Sequence, residues 1–230
     1  MFSNVRFIIW VSGFLLTSLL VLPVMMLTKR YNHALRHWWS RAFLNPFGIR
    51  LKVEGTPDPE ARLLTPNHRS FLDIPILEAA LPTHIDPAWI AKEQLMKTPV
   101  VKWMLRAGRM ITVERENKRG MLKLLKDLQV PLGEGRSIVI FPEGTRSKTD
   151  RLLPFKSGAR FIAEHCNLKV QPVVIYPSDQ RLNTGKLQMN GGLLTVRFLP
   201  ARLPEGDQWF AEMEAEMQQA YLDMARHSNN

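Results

Sequence analysis

One short stretch of the chain places a histidine and an aspartate five residues apart, in a setting that suits acid–base chemistry. Residues 62–65 form an apolar run of a length suited to a buried strand, and Pro66 stops it. The polar loop that follows carries His68, and apolar residues at helical spacing resume near Asp73. The stretch therefore predicts a strand, a loop that contains His68, and a helix.

The spacing of His68 and Asp73 limits how the two side chains can meet. Five residues on one continuous helix turn the chain by about 500°, which leaves the side chains on different faces. They meet only if Asp73 lies at the helix start, and Pro75 agrees because proline is tolerated in a first turn. Asp73 would then fix the imidazole tautomer and leave the other ring nitrogen as a general base. The alternative is that Asp73 only caps the helix and that His68 is a surface loop residue.

A second stretch repeats this layout, with a strand-like run over residues 137–141, a proline and a polar loop. The loop contains Glu143, Gly144, Thr145 and Arg146. In a parallel sheet both loops emerge at the carboxyl edge, where ligands of open α/β sheets bind. Gly144 allows a tight turn, and the planar fork of Arg146 suits a phosphate group. The alternative is an ion pair between Glu143 and Arg146 on a surface turn; a Walker-type nucleotide loop is excluded because its Gly-Lys-Ser/Thr ending is missing.

A third basic cluster follows the strand predicted over residues 110–113. It contains Arg115, Lys118 and Arg119. By the same strand-end argument Arg115 would reach the cleft, and exposed solvated charge is the alternative.

The elements around these loops alternate between strands and helices. Strands are predicted over 49–53, 62–65, 88–91, 110–113, 137–141, 170–176 and 193–199, and helices over 74–80, 99–107, 119–129, 157–166 and 208–226, with Ser157 as a cap. This alternation predicts an α/β domain with a largely parallel central sheet flanked by helices. The turn at residues 45–48 divides a helical membrane-anchoring segment, residues 1–48, from a globular domain over residues 49–230.

Residues 7–27 carry no charge, and a helix of that length covers about 30 Å, the thickness of a bilayer's hydrocarbon core. We expect this helix to span a membrane or to embed in one. A cleaved signal peptide is the alternative, which Arg6 would suit, but the run is long and Lys29 and Arg30 follow in place of a small-residue cleavage site. More basic residues follow the run than precede it, so the bulk of the protein is expected on the cytoplasmic side.

A second amphipathic segment follows. Its apolar residues at helical spacing are Tyr31, Ala34, Leu35, Trp38, Trp39, Ala42 and Phe43, and its polar residues are Asn32, His33, Arg36, His37, Ser40 and Arg41. Paired tryptophans beside arginines are typical of helices at a membrane interface. The alternative is an ordinary amphipathic helix packed on the globular domain.

Charge and cysteine content point to the same setting. The net charge of +10 and the pI of about 10.0 indicate an anionic partner. Because residues 1–50 carry basic residues and no acid around the apolar run, we expect an anionic membrane and no nucleic acid. The single cysteine, Cys166, forms no internal disulfide, which fits a reducing compartment; a small buried apolar residue is its alternative reading.

With these stretches in view, the chain resembles the glycerolipid acyltransferase family that includes the 1-acylglycerol-3-phosphate acyltransferases. His68 and Asp73 match its His-four-residues-Asp (HX4D) motif, and residues 141–147 match its most distinctive motif without a mismatch. Gly108 with residues 110–115 resembles an intermediate motif, although Val-Glu replaces the usual Ile-Asp before Arg115. Residues 170–177 resemble the final apolar motif. The similarity covers roughly residues 50–200, with the motifs in family order.

The resemblance implies transfer of a fatty acyl group from an acyl thioester, carried by coenzyme A or acyl carrier protein, to the hydroxyl of a lysophospholipid, above all 1-acyl-sn-glycerol-3-phosphate. In this interpretation His68 removes the hydroxyl proton, and Asp73 orients the His68 imidazole. Arg146, helped by Arg115, holds the acceptor's phosphate, in a loop shaped by Glu143, Gly144 and Thr145. We expect no metal and no cofactor. The expected location is the inner, cytoplasmic membrane, with the catalytic domain on the cytoplasmic side.

Three alternatives stay open from the sequence. The acceptor could be another lysolipid, such as lyso-ornithine lipid. The His68–Asp73 pair could act on water in a membrane-bound hydrolase. A non-catalytic protein could bind anionic lipid through residues 1–50 and its cleft arginines. Ser70 invites a nucleophile reading, which the resemblance does not support because the family uses no serine there.

Overall fold

The computed structural model describes residues 2–28, 32–114 and 118–228, so Lys29, Arg30, Tyr31 and Arg115 lie outside the described residues. The helices are α1 (Phe2–Leu27), α2 (Asn32–Leu44), α3 (Asp73–Ala80), α4 (Pro99–Ala107), α5 (Lys118–Gly133), α6 (Ser157–Cys166), α7 (Ser178–Arg181) and α8 (Trp209–Ser228). The strands are β1 (Ile49–Glu54), β2 (Leu63–Pro66), β3 (Pro87–Lys92), β4 (Ile111–Val113), β5 (Ser137–Val139), β6 (Val170–Tyr176), β7 (Leu182–Asn183), β8 (Gln188–Met189) and β9 (Gly192–Phe198). Short 3-10 helices cover Asn45–Phe47 and Glu93–Lys97.

Within the described residues, seven strands form the central sheet in the order β1-β9-β6-β2-β5-β3-β4. β2, β3, β4, β5 and β6 are parallel, while β9 and β1 run the other way, as the antiparallel pairing of β6 with β9 shows. β2 and β6 are buried along their whole length, because helices cover both faces of the sheet. The predicted α/β fold with a largely parallel, helix-flanked sheet is confirmed.

Two apolar layers fill the space between the sheet and its helices. On one face Leu124 of α5, Ile162 of α6 and Met213 of α8 pack in one core cluster. On the other face Phe43 of α2 and Ile76 of α3 belong to the second. The sheet therefore holds its strand ends rigidly from both sides, and the loops that leave those ends are well positioned.

Some details differ from the sequence prediction, among them the cap of α6 and several short elements. Ser157 is the first residue of α6, and the chain enters the helix in an extended conformation at Lys156, so Lys156 occupies the cap position and no side chain caps the helix. The prediction that Ser157 is the cap is therefore wrong. The two-residue strands β7 and β8 were not predicted, because a pair this short carries no alternation pattern.

Among the described residues, α1 is long and apolar enough to cross a membrane over Ser3–Leu27. Both of its ends nevertheless contact the globular domain. Near its start the Ser3 hydroxyl donates to the Met189 carbonyl of β8 at 3.3 Å, and near its end Leu22 and Met25 pack with α4. A helix of about 39 Å therefore lies along the flank of the domain, with an outward side rich in exposed leucine and isoleucine.

α2 packs on the domain through its polar side. Arg36 is buried, donates to the carbonyls of Gly108 and Pro87, and pairs with Asp86 and Glu78. Burial is also the main cause that lowers the pKa of the neighbouring His33 to about 4. The predicted apolar side is largely outward, with Ala34, Trp38 and Ala42 exposed and Phe43 as the buried exception. The amphipathic helix was predicted correctly. Part of its apolar side packs on α1, where Trp39 stacks on Phe14, and Trp38 stays exposed.

Candidate active site

Asn67 determines where the chain leaves the sheet after β2. Its side chain is fully buried and pairs with Ile175 of β6 in both directions, since its amide donates to the Ile175 carbonyl and its carbonyl accepts from the Ile175 N–H. These bonds imitate a backbone rung and extend the β2–β6 ladder by one residue. His68 therefore begins the loop at the carboxyl end of β2, on a rigid support.

His68 and Asp73 meet as their spacing requires. Asp73 is the first residue of α3, and its fully buried Oδ2 lies 2.8 Å from His68 Nδ1. The same oxygen accepts the backbone N–H groups of Arg69, at 2.7 Å, and Ser70, at 2.8 Å. Asp73 therefore binds the loop before the helix and does not cap the helix. The His68 side chain is 18% exposed, so the surface-loop alternative does not describe it.

The geometry also assigns the imidazole tautomer. A carboxylate oxygen only accepts, so Nδ1 of His68 carries the proton and Nε2 is left with a lone pair. The ring stacks on Phe141 with centroids 3.8 Å apart and planes 13° apart. Phe141 was missed as a site residue in the sequence, where it is indistinguishable from the other apolar residues of its run. The pair leaves Nε2 as the nitrogen able to take a proton from a ligand.

Glu143 connects the His68 loop to the Arg146 loop from their buried side. Its Oε1 accepts the backbone N–H of His68 at 2.7 Å, and its Oε2 accepts that of Leu153 at 2.7 Å. A further bond from the Ser147 N–H to the His68 carbonyl, 2.8 Å long, closes the connection. Glu143 is only 1% exposed, and within the described residues it forms no ion pair with Arg146. It therefore holds His68 in place.

The protonation of Glu143 is finely balanced. Burial raises the pKa of its carboxyl group from 4.5 to about 7, against the two backbone N–H bonds, which favour the ionised form. The negative charge of Asp73 adds to the upward shift. A change in pH near neutrality therefore alters the charge of a group that is bonded directly to the His68 backbone.

Gly144 and Arg146 follow on the same loop. Gly144 has φ +70° and donates its N–H to the Phe141 carbonyl, a left-handed turn that favours glycine. The Arg146 guanidinium lies 4.0 Å from the ring centroid of Phe71, a residue of the His68 loop that is itself largely exposed. Thr145 is exposed beside it. The structure therefore brings Arg146 to the His68 loop, whereas Arg115 lies outside the described residues.

Two further residues of the His68 loop are structural. Arg69 is nearly buried, pairs with Asp179 at 2.5 Å and lies over the ring of Tyr221, which ties the loop to α7 and α8. Its role was missed, because nothing in the local pattern predicts partners more than 100 residues away. Ser70 is buried and donates to the Leu182 carbonyl at 3.1 Å, so its hydroxyl is not presented to a ligand.

An apolar cavity of about 320 Å³ lies behind the second loop. Its apolar lining includes Val113, Met121, Leu124, Ile140, Ala159 and Phe161, with Lys156 and Ser157 among its polar residues. Phe141 also lines the cavity, so the ring that stacks on His68 separates the imidazole from this space. The arrangement combines a general base with an adjoining apolar space and an arginine on one loop edge.

Comparison with known proteins gives three kinds of match. The model of the Acyltransferase family matches residues 50–176. A 1-acyl-sn-glycerol-3-phosphate acyltransferase of Helicobacter pylori is 38% identical over 183 residues, which cover 78% of this chain and 76% of that protein. A lyso-ornithine lipid O-acyltransferase of Rhizobium meliloti is 32% identical over 148 residues, 62% of this chain and 49% of that protein.

The human 1-acyl-sn-glycerol-3-phosphate acyltransferase beta is 31% identical over 177 residues, which cover 74% of this chain and 62% of that protein. The crystal structure of the 1-acyl-sn-glycerophosphate acyltransferase of Thermotoga maritima superimposes with a TM-score of 0.78 at 22% identity and covers 96% of each chain. The fold described above is therefore shared with that structure over nearly its whole length.

Proposed function

Because the chain belongs to the Acyltransferase family, we propose that it transfers a fatty acyl group from an acyl thioester to the hydroxyl of 1-acyl-sn-glycerol-3-phosphate, which gives phosphatidic acid. The protein is an acyltransferase; the proposal concerns its acceptor, its donor and its residues. The observation that carries it is the His68 ring, bound through Nδ1 to buried Asp73 and left with Nε2 as a base.

The reaction follows from this pair. Nε2 of His68 takes the proton of the acceptor hydroxyl as its oxygen attacks the thioester carbonyl. The carbonyl electrons move to oxygen and return as the carbon–sulfur bond breaks, and the imidazolium gives its proton to the leaving thiolate. General-base help of this kind contributes about 10²–10⁴ in rate, and Asp73 stabilises the imidazolium between the two proton transfers. No acyl-enzyme intermediate is needed.

Arg146 is the proposed partner of the acceptor's phosphate. Its guanidinium can bind two phosphate oxygens at once, and its stacking on Phe71 holds the planar group beside the His68 loop. Gly144 and Thr145 shape this loop edge, and Glu143 supports it from the buried side. The resemblance adds Arg115 as a second phosphate contact.

The apolar cavity suits the acyl chain of the donor. Its volume of about 320 Å³ is within the range usual for small-molecule sites, and it adjoins the histidine through Phe141. The Phe141 ring stands between this space and the imidazole, so a thioester whose chain fills the cavity would pass the edge of that ring to bring its carbonyl to Nε2. Coenzyme A or acyl carrier protein would deliver that thioester.

The helical segment over residues 1–48 is the proposed membrane anchor, with residues 49–230 as the catalytic domain. Both ends of α1 contact the domain, so α1 would embed along one leaflet with its exposed apolar side in the acyl region. The basic residues around α1 favour an anionic leaflet, on the cytoplasmic side of the inner membrane. This position places the site where the lysolipid hydroxyl lies.

The experiment that tests the proposal measures thiol release from a long-chain acyl thioester by detergent-purified protein, with and without 1-acyl-sn-glycerol-3-phosphate. Release that requires the acceptor and disappears in His68→Ala supports acyl transfer. Arg146→Ala should raise the KM for the phosphorylated acceptor, while Arg160→Ala, an exposed arginine on α6, serves as the matched control. Thiol release without acceptor would indicate a hydrolase. If no thiol is released, a non-catalytic lipid-binding protein is the remaining alternative.

Lyso-ornithine lipid is the second candidate acceptor, because the Rhizobium meliloti relative is 32% identical. This acceptor carries no phosphate, so Arg146→Ala should leave its use unchanged. Parallel assays with the two acceptors therefore distinguish the two proposals.

A further inference from the structure

A basic and apolar surface on the connection between β3 and β4 has no part in the chemistry above. The connection consists of the 3-10 helix Glu93–Lys97 and α4, and we call it the crossover surface. Its exposed apolar side chains are Leu95, Val100 and Trp103, at 44%, 48% and 40%. Leu105 and Ala107 are the buried residues of α4, so most of this helix lies away from the core.

The exposed residues of α4 form one stripe. Val100, Trp103 and Arg106 follow each other at intervals of three, which places them on the same side of the helix. Lys97 and Lys102 flank the stripe, and Glu93 is the single acid between residues 92 and 106. Tryptophan and aliphatic side chains surrounded by basic residues are the composition that suits the headgroup region of an anionic bilayer.

The same side of α4, one turn further along the helix, is fixed to α1, since Met104 and Ala107 follow Val100 and Trp103 at intervals of four. Met104 and Ala107 pack with Leu22 and Met25 of α1 in a small apolar cluster. The amide of Asn32 then donates both to the Met25 carbonyl, at 3.0 Å, and to the Ala107 carbonyl, at 2.7 Å. These contacts join the ends of α1 and α4 to the start of α2. A leaflet that takes up α1 is therefore also brought to α4.

We propose that the crossover surface is a separate membrane contact, which lies in the headgroup region of an anionic leaflet beside α1. Its continuity with the apolar side of α1 and its positive charge select a bilayer over a protein partner or a second copy of the chain. β3 is the parallel neighbour of β5, so the connection leaves the sheet at the same carboxyl edge as the His68 and Arg146 loops. The contact would turn that edge toward the leaflet that holds a lysolipid acceptor, and this consequence rests on the proposed function.

Position-specific labelling tests the contact. An environment-sensitive fluorophore is attached to single cysteines in a Cys166→Ser background, at Val100→Cys, at Leu16→Cys on the exposed side of α1, and at Val130→Cys. Val130 is the matched control, because it is a valine 64% exposed on α5, which ends beside the amino end of β5 at the opposite edge of the sheet. The full chain is placed in nanodiscs of phosphatidylcholine and phosphatidylglycerol that carry nitroxide-labelled lipids.

We expect the nitroxide lipids to quench the labels at positions 100 and 16 and to leave the label at 130 unchanged. If position 100 behaves like position 130 while position 16 is quenched, α4 lies in water and the inference is overturned. A label at 100 that is shielded from aqueous iodide yet not quenched by lipid would indicate a protein partner or a second copy, which also overturns it. Absence of quenching at both 100 and 16 would show that neither helix contacts the bilayer, and it would overturn the inference.

A kinetic measurement separates this inference from the proposed function. Val100→Glu adds an acid to the surface and should lower the rate with acceptor in anionic vesicles by about 5-fold, while the rate with acceptor in detergent micelles stays unchanged. Val130→Glu should change neither rate. Equal rates for both variants in vesicles would overturn the inference. A wild-type protein that transfers no acyl group in either format would refute the proposed function and leave the quenching result to decide the contact.

Discussion

Replacing Asp73 by asparagine would remove one negative charge beside His68 and leave the shape of the site almost unchanged. Oδ2 of Asp73 accepts three N–H groups, from His68 Nδ1 and from the backbone of Arg69 and Ser70. An amide oxygen in the same position can accept all three. The loop should therefore keep its conformation, while the imidazolium that forms during the reaction loses its counter-charge.

The size of the effect follows from the distance. The Nδ1–Oδ2 distance of 2.8 Å places the two charge centres about 4 Å apart. At an effective dielectric constant of about 20 their interaction is about 4 kcal/mol. Loss of this interaction from the transition state corresponds to a decrease in kcat of about 10³-fold. Weaker hydrogen bonds to a neutral amide cost stability, and the smaller desolvation of a neutral group offsets part of that cost, so the variant should remain folded.

The assay compares kcat for acceptor-dependent thiol release in the wild type, Asp73→Asn, His68→Ala and the double variant, with folding checked by denaturant titration. Because Asp73 acts through His68, the double variant should be no slower than His68→Ala alone. A folded Asp73→Asn variant that keeps more than a third of the wild-type kcat would refute the reasoning. Fully additive losses in the double variant would refute it as well.

Three further changes give separate tests. Glu143→Gln places an amide N–H₂ donor opposite one of the two backbone N–H donors, of His68 or Leu153, so one hydrogen bond is lost. Because this loosens the support of His68, kcat should fall while the KM for the acceptor changes little. Because the pKa of Glu143 is raised to about 7 in the folded protein, the folded state binds this proton more tightly than the unfolded state. A stabilisation of up to about 3 kcal/mol should therefore be lost as pH rises from 4.5 through 7. The free energy of unfolding, measured by denaturant titration at pH 5 and pH 8, should show this decrease in the wild type and not in Glu143→Gln. Phe71→Ala removes the ring under Arg146 and should raise the acceptor KM a few-fold, by about 1 kcal/mol or less in binding, with kcat unchanged. Asn67→Ala leaves two buried backbone groups unpaired and should lower the free energy of unfolding by about 2–4 kcal/mol, measured by urea titration; a change below about 0.5 kcal/mol would contradict the role assigned to its side chain.

Local pattern was sufficient for most elements and for the central pair of residues. The apolar runs of β2 and β6 and the helical spacing of α3 and α4 depend on neighbours within one or two turns, so their positions follow from the chain itself. The interval between His68 and Asp73 admits contact in one arrangement only, a loop followed by a helix start, and the structure has this arrangement. The carboxyl-edge position of both loops followed once the strands were taken as parallel.

The orientation of α2 is a feature that the local sequence pattern could not predict. Its amphipathic pattern was clear, but the usual rule places the charged side outward. Here Arg36 is buried because Asp86 and Glu78, some 40 to 50 residues later, supply charges that compensate it. The local sequence around α2 contains no sign of those partners, because they belong to elements that meet it only in the folded state.

By itself, the amino-acid sequence determined the α/β class, the apolar first helix and the contact between His68 and Asp73, because each depends on residue type and short-range spacing. The tertiary structure alone decided that β2 and β5 are neighbours, that Glu143 supports His68 from the buried side, that Phe141 stacks on the imidazole, and that α4 is attached to α1. These features join residues far apart in the chain. They depend on strand order and on complementary burial, which no local pattern specifies.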